Sequence, residues 1–549
     1  MNELFATIIK ESIRRKIKSA EAFEALKKEI CGRFGATTPR NADIRDFYEQ
    51  SLALGNSGSL ALGRKKADLL LLKKILKSKN IRTLSGVAVV AVLTKQYPCR
   101  GKCLYCPTEK DMPKSYLSNE PAVMRAITVN FNPYNQVQKR LRALEINGHD
   151  IEKIELIVMG GTFSDLPKKY QYNFITECYR AANDYPIAKK ATPAFAKASA
   201  GKKKPIIHGL QKEQMRNEKA KHRVIGLTLE TRPDTLDEKE IEFYRELGAT
   251  RVEIGVQSIF GDVLKKNRRG HAVQQTIKAT KLLKDAGFKV SYHMMPGLLG
   301  SSFKKDLEMF KEIFSNPAFQ PDLVKIYPCV VTRNSALYSL WKKGEYEALT
   351  NARAEKLISE IKQIIPPYVR ISRLIRDIPE SSIAAGPNIS NLRQIIQNKG
   401  VECHCIRCRE IRGNYTAKDD IILRRIDYNA SGGKEIFLEY VSPDHKKLYS
   451  LLRLRIINFP RLSLGNFKHT AIIREVHTYG KLLNLKSRDK KSPQHAGLGK
   501  KLIKEAEKIA RVEFGCQNIS VIAGIGVREY YRKLGYKLKD TYMEKIEKK

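Results

Sequence analysis

Short apolar runs rich in Val and Ile recur through the middle of the chain, and stretches of helical periodicity separate them. The runs lie at Gly86–Thr94, Ile154–Gly160, Arg223–Glu230, Arg251–Val256, Phe288–Met294 and Leu323–Pro328. Helical segments such as Asn135–Asn147 and Val273–Ala286 fill the intervals. This alternation predicts an α/β fold built of repeated βα units around a partial parallel barrel. At the start of the chain Leu4, Phe5, Ile8 and Ile9 share one face, the mark of an amphipathic helix rather than a signal peptide. More basic helices with an apolar stretch at Leu69–Leu72 follow. From about Tyr415, β runs at Ile421–Arg425, Glu435–Glu439, Leu451–Ile456 and Ala471–His477 lead to a glycine turn and a long helix, which predicts a second α/β domain. Ala191–Pro205 is low in complexity and ends in a lysine run, as a surface insertion would.

Composition sharpens the picture. With 549 residues, 42% of them hydrophobic, the chain is long enough for two or three folded domains. A formal net charge of +43 predicts a polyanionic partner, nucleic acid foremost; a solvated basic surface is the plain alternative. Arg14, Arg15, Lys16 and Lys18 form the first basic cluster and are candidate RNA contacts. No apolar run is long enough to span a bilayer, so no membrane partner is expected. The ten cysteines include two tight triplets, which suit metal ligation in a reducing cytoplasm better than a disulfide framework.

The first triplet, Cys99, Cys103 and Cys106, directly follows a predicted strand. Three thiolates can hold three irons of a 4Fe–4S cluster and leave the fourth iron open; a three-cysteine zinc knuckle is the simpler alternative. The C-x3-C-x2-C spacing, with Tyr105 before the last cysteine, resembles the radical SAM superfamily, whose open iron binds S-adenosylmethionine. Polar or glycine-bearing residues close each predicted strand, where βα barrels place their sites. Gly160, Gly161, Glu230 and Arg232 are the candidate SAM contacts among them, and Gln257, His293, Lys325 and Tyr327 stand at further strand ends.

The glycine turn Gln494–Lys500 opens a helix through Lys501–Arg511. Free N–H groups at such a helix start cradle a pyrophosphate; a plain glycine cap is the alternative. Q-x-x-G-x-G here, with the strand Ile519–Ile522 and the segment Tyr530–Tyr536 beyond it, resembles the acetyl-CoA-binding motif of GNAT acetyltransferases.

Both motifs on one chain narrow the field, and the sequence between them resembles the catalytic subunit of Elongator and its stand-alone archaeal and bacterial relatives. The resemblance runs through Thr83–Ala91, Ile157–Phe163, Arg251–Ser258, His293–Pro296, Arg376–Pro379, Arg474–His477 and Gly526–Tyr536. It implies carboxymethylation of carbon 5 of the tRNA wobble uridine, with the anticodon loop as target, acetyl-CoA and SAM as co-substrates, and an electron donor. By that resemblance Cys99, Cys103 and Cys106 hold the cluster. Lys153, of a D/E-K-x-E motif, Glu475, Val476, His477, Thr478, Leu498, Gly499, Lys500 and Tyr531 hold acetyl-CoA, with Lys153 and Tyr531 closest to the chemistry. Cys403, Cys405 and Cys408 resemble a zinc-binding linker, with the fourth ligand open. The expected domains are 1–82 (basic, helical, tRNA-binding), 83–385 (radical SAM barrel with the 191–205 insertion), 386–413 (zinc linker) and 414–549 (acetyl-CoA-binding). Two departures stand out: Thr108 and Glu109 where the family commonly has two glycines, and Leu299 where proline is usual.

The resemblance also explains the fusion of two domains. Carbon 5 of uracil is a poor nucleophile toward a thioester, whereas a radical formed on the acetyl methyl group can add to it. The rival reading is a protein lysine acetyltransferase whose iron–sulfur domain is structural; a basic RNA-binding scaffold with a decayed site is a third.

Overall fold

A computed structural model describes residues 1–53, 75–76, 86–186, 206–411, 415, 419–457, 471–480 and 497–546. The apolar stretch Leu69–Leu72, the insertion 191–205 and the turn residues Gln494–Ala496 lie outside these residues.

Three helices open the chain, α1 (Asn2–Arg14), α2 (Ala20–Arg33) and α3 (Asn41–Ala53). Leu4, Phe5, Ile8 and Ile9 are buried together against Phe23, Leu26 and Ile30, so the amphipathic pattern does what it predicts. The basic cluster at the end of α1 is partly neutralised: Arg14 pairs with Glu11, and Arg15 pairs with Glu11 and Glu29.

The central body holds β1 (Ala88–Leu93), β2 (Lys153–Met159), β3 (Arg223–Thr231), β4 (Arg251–Gln257), β5 (Lys289–Met294), β6 (Leu323–Ile326), β7 (Val331–Thr332), β8 (Arg370–Arg373) and β9 (Ile383–Ala385). Seven of these form one sheet in the order β1-β2-β3-β4-β5-β6-β8, and every pair is parallel. Sequential order with helical crossovers is the βα repeat that the hydrophobic pattern predicts, curled but not closed. The short β7 and β9 pair antiparallel beside it. Six of the seven strands follow the apolar runs; β8, only four residues reading Arg-Ile-Ser-Arg, carries too little apolar signal to be seen.

In β2 the alternation of buried and accessible positions is strict. Ile154, Leu156 and Val158 are buried outward under the helices, while Lys153, Glu155, Ile157 and Met159 face the concave side and stay partly accessible.

The last region forms a second seven-stranded sheet from β10 (Ile422–Ala430), β11 (Gly433–Val441), β12 (Leu448–Ile456), β13 (Ala471–Thr478), β14 (Asn518–Val521), β15 (Lys537–Lys539) and β16 (Tyr542–Ile546). Its order is β10-β11-β12-β13-β14-β16-β15, and the helix Leu498–Val512 packs on it through Leu502, Ile503, Ala506 and Ile509. β13 and β14 run parallel and pair over Ala471–Ile473, and Glu475–Thr478 extend β13 beyond that pairing. The sheets meet across a buried ionic cluster. Arg474 bonds Asp322 and, at 2.9 Å, Glu435; Arg453 reaches Glu475 at 2.9 Å, and Arg455 bonds Glu435 and Asp285.

After β5, the turn carrying Leu299 is pinned by Asp306, which accepts from the Gly297 N–H at 2.7 Å and the Ser301 hydroxyl at 2.6 Å. Burial pushes the Asp306 carboxyl up from 3.8 to about 6. An acid raised on folding contributes stability at low pH that is lost as pH rises through its folded value. Asp306→Asn mimics the protonated form. It should gain on the wild type by on the order of 2 kcal/mol between roughly pH 4 and pH 7. Denaturant melts at both pH values measure this, and a pH-independent difference would count against it.

Candidate active site

Cys99, Cys103 and Cys106 follow β1 and line one cavity at the carboxyl edge of the barrel. Cys103 is buried, and Arg269 donates to its sulfur at 3.5 Å. A hydrogen bond from Cys106, together with that guanidinium, outweighs burial and brings the Cys103 thiol down to about 4, while Cys106 is pushed up. The Gly101 N–H points at the Cys99 sulfur from 3.4 Å, and a Cβ on Gly101 would lie 2.5 Å from Arg232 Nη1, which is buried without a hydrogen-bond partner. Three sulfurs on one cavity, a cation beside them and a glycine cradle fit a cubane cluster with an open iron. The departing residues Thr108 and Glu109 are held in place: the Thr108 N–H donates to Asn334, and Glu109 accepts from the Ser118 N–H.

Of the other strand-end candidates, Gly161, Glu230 and Arg232 line the same cavity. Gly160, at φ +132°, is packed on Thr94 instead, where any Cβ would meet Thr94 Oγ1 at 2.0 Å. Arg232 is locked by Asp234 and by the Arg269 carbonyl.

The cavity floor holds a charge cluster of which sequence reading offered only the separate strand ends. Glu253 bonds Lys325 and accepts or shares a proton with His293 Nε2 at 3.1 Å. Lys325 also lies 3.5 Å from Glu230, which accepts from the Tyr116 hydroxyl at 2.8 Å. Burial would raise Glu253, but Lys325 and then His293 hold it well below the usual carboxylate range. His293 and Lys325 were visible as strand ends. Glu253 and Tyr116, inside an apolar strand and a loop, gave no signal of their own.

The acetyl-CoA candidates gather elsewhere. Gly497, in the left-handed region at φ +71°, caps the helix Leu498–Val512. A Cβ on Gly499 would lie 3.3 Å from Thr478 Oγ1, 3.8 Å from Val476 and 3.7 Å from the Tyr530 hydroxyl. Leu498, Gly499 and Lys500 thus stand beside the end of β13, where Glu475–Thr478 lie. Tyr530 faces this turn, whereas Tyr531 is buried in the apolar core of the sheet, its ring against Tyr530 and Tyr536. Lys153 begins β2 at the amino edge of the barrel, opposite the cysteine cavity, and burial lowers its ammonium below the ordinary lysine value. The short helical turn at Ile525 covers that edge, since a Cβ on Gly524 would strike the Ile225 carbonyl at 2.1 Å. Beside it, Lys289 reaches Glu475 at 3.4 Å, and Lys289 and Arg453 outweigh burial to hold Glu475 at about 2.

The sulfurs of Cys403, Cys405 and Cys408 lie within 4.8 Å of one another, compatible with tetrahedral thiolate ligation. His404 and His445 border the same hollow. Among the described residues, no helix is long and apolar enough to cross a membrane.

Residues 95–313 match the Radical SAM superfamily model and residues 321–400 match the Radical_SAM C-terminal domain model. The chain is 44% identical over 565 residues to the tRNA uridine(34) acetyltransferase of Methanocaldococcus infernus, with 99% of both covered. It is 38% identical over 492 residues to human Elongator complex protein 3, covering 86% of each. The solved structure of archaeal Methanocaldococcus infernus Elp3 with an N-terminal deletion superposes with a TM-score of 0.70 at 43% identity, covering 84% of this chain and 99% of that one. With this identity across its whole length, the chain belongs to the family of tRNA uridine(34) acetyltransferases and Elongator complex protein 3.

Proposed function

We propose that this chain builds a carboxymethyl group on carbon 5 of the wobble uridine of tRNA, from acetyl-CoA and SAM. One observation carries the reading: the cysteine cavity and the glycine turn beside Glu475–Thr478 serve opposite edges of the same barrel. Relatives of 44% identity are named for acetyl transfer to tRNA uridine 34. When bound, a 4Fe–4S cluster with SAM supplies a hydrogen-abstracting carbon radical, chemistry that acyl transfer to an amine does not need.

In this reading Cys99, Cys103 and Cys106 hold the cluster, Gly161, Glu230 and Arg232 line the SAM side of the cavity, and Gly160, packed on Thr94, sets the turn behind them. His293 Nε2 stands 3.1 Å from the Glu253 carboxylate, which orients the ring at the cavity wall. Lys153, Glu475, Val476, His477, Thr478, Leu498, Gly499 and Lys500 form the acetyl-CoA site, with Tyr530 added because its hydroxyl stands at the turn and Tyr531 backing it from the core. Cys403, Cys405 and Cys408 bind zinc. Arg14, Arg15, Lys16 and Lys18 contact tRNA phosphates, Lys16 and Lys18 more freely than the paired arginines. The domains are 1–82, 83–385, 386–413 and 414–549, the protein works in the cytoplasm, and an electron donor serves it.

Trideuterated acetyl-CoA tests the reading. Deuterium is expected in 5′-deoxyadenosine, with the remaining label on the carboxymethyl carbon of tRNA. Modified tRNA with unlabelled 5′-deoxyadenosine would sink it. SAM-independent transfer of the intact methyl label to a protein lysine would hand the function to the rival.

A further inference from the structure

The interior of a βα barrel is ordinarily filled by layers of branched apolar side chains. Here the inward face of β4 carries no branched apolar side chain. β4 points Arg251, Glu253, Gly255 and Gln257 inward, and all but Arg251 line the cysteine cavity. Arg251 pairs in register with Lys289, whose ammonium touches Glu475 of the second sheet. Arg251 and Glu253 are two residues apart on one strand face, a rise of about 7 Å. One layer of side chains therefore separates the cavity floor from the acetyl-CoA half-site.

That layer is an ion pair. Arg251 Nη1 meets Glu155 Oε1 at 2.6 Å, spanning from β4 to β2 across β3. The bridge is open to it because β3 presents Gly226 opposite Glu155, and even a Cβ there would stay 3.9 Å from Glu155 Cγ. Arg251 Nε, though buried, makes no hydrogen bond and lies 3.7 Å from Glu253 Oε1. Glu155 keeps 24% of its side chain accessible, far more than a packed barrel layer leaves. Ile157, one step nearer the cavity on β2, is also partly accessible.

We propose that the Glu155–Arg251 pair is a movable partition, and that the acyl end of a coenzyme A thioester passes through the barrel floor there into the cysteine cavity. The inference rests on the acetyl-CoA site read above. The lumen chemistry suits the ligand: a pantetheine arm carries amides and a thioester carbonyl, and the guanidinium can donate to that carbonyl once Glu155 releases it. Electrostatic pairing rather than close packing makes the partition reversible, because a thioester carbonyl in the lumen can replace Glu155 as the acceptor of the guanidinium.

The test is photolabelling of the full-length protein, without SAM, by a short-chain acyl-CoA whose acyl group bears a diazirine, followed by peptide mapping. Label is expected on Lys153–Met159 and Arg251–Gln257. Ile157→Trp should cut labelling of Arg251–Gln257 roughly tenfold, since a filled lumen leaves no void for the arm. Glu155→Ala, which removes the partition, should raise it. Label confined to Glu475–Tyr479 in the wild type overturns the proposal without any variant, as does labelling indifferent to both substitutions. Failure of coenzyme A to bind saturably would instead sink the acetyl-CoA reading itself.

Discussion

Replacing Cys103 with alanine is expected to leave the anaerobically purified protein colourless, with iron near zero and no cleavage of SAM. The effect is complete rather than partial because three thiolates already supply the minimum that leaves one iron open. Cys103 is the central sulfur of the three, buried and held as thiolate by Cys106 and Arg269, so no neighbouring sulfur can take its place. Coenzyme A binding should survive, since Gly499, Val476 and Thr478 stand at the far edge of the barrel. Iron analysis, absorption spectra and a coenzyme A titration on the one variant decide it. Unchanged iron would remove the cluster from these cysteines.

The largest stability effect is expected at Asp322. Its carboxylate takes two bonds from Arg474, lies 3.5 Å from both Lys284 and Arg453, and accepts the Val290 N–H at 2.8 Å, with both Asp322 and Arg474 fully buried. Burial alone would raise its pKa, but Arg474, then Lys284 and Arg453, hold it far below the usual range. Asp322→Ala leaves three cations facing one another in the interface without their shared counter-charge. Breaking a buried pair this way costs about 3–5 kcal/mol. Because Asp322 precedes β6 while Arg474 lies on β13, the loss should also separate unfolding of the two sheets. Calorimetry should show two transitions where the wild type shows one; a single, unshifted transition would contradict the account.

Much of this protein is legible in its sequence where the signal is local. The apolar runs locate six of seven barrel strands, and the seventh is lost only because Arg370–Arg373 is short and half charged. The cysteine triplets and the glycine turn declare themselves because ligands and cap lie within a few residues of one another. What the sequence hides is of another kind. Arg474 and Arg453 read as charged residues in strands and turn out fully buried, because each meets the Asp322 carboxylate across the interface. Arg14 and Arg15 read as free cations, yet Glu11 and Glu29 meet them once α1 and α2 pack. Tyr530 and Tyr531 are adjacent in sequence, and only the packing of the short helix Arg528–Arg532 turns the first to the glycine turn and the second into the core.

The sequence by itself determined the chemistry that neighbours along the chain can assemble: a three-thiolate loop after a strand, a second thiolate triplet, and a glycine-capped helix start. Tertiary structure alone decided that Glu230, Glu253, His293 and Lys325, drawn from four strands, meet in the cavity beside the first triplet. It alone decided that Glu155 of β2 and Arg251 of β4 pair across β3. The physical reason is register. A strand's inward and outward faces alternate residue by residue, so a slip of one position would turn every one of these charges to the other face, and only the pairing of whole strands fixes which way they point.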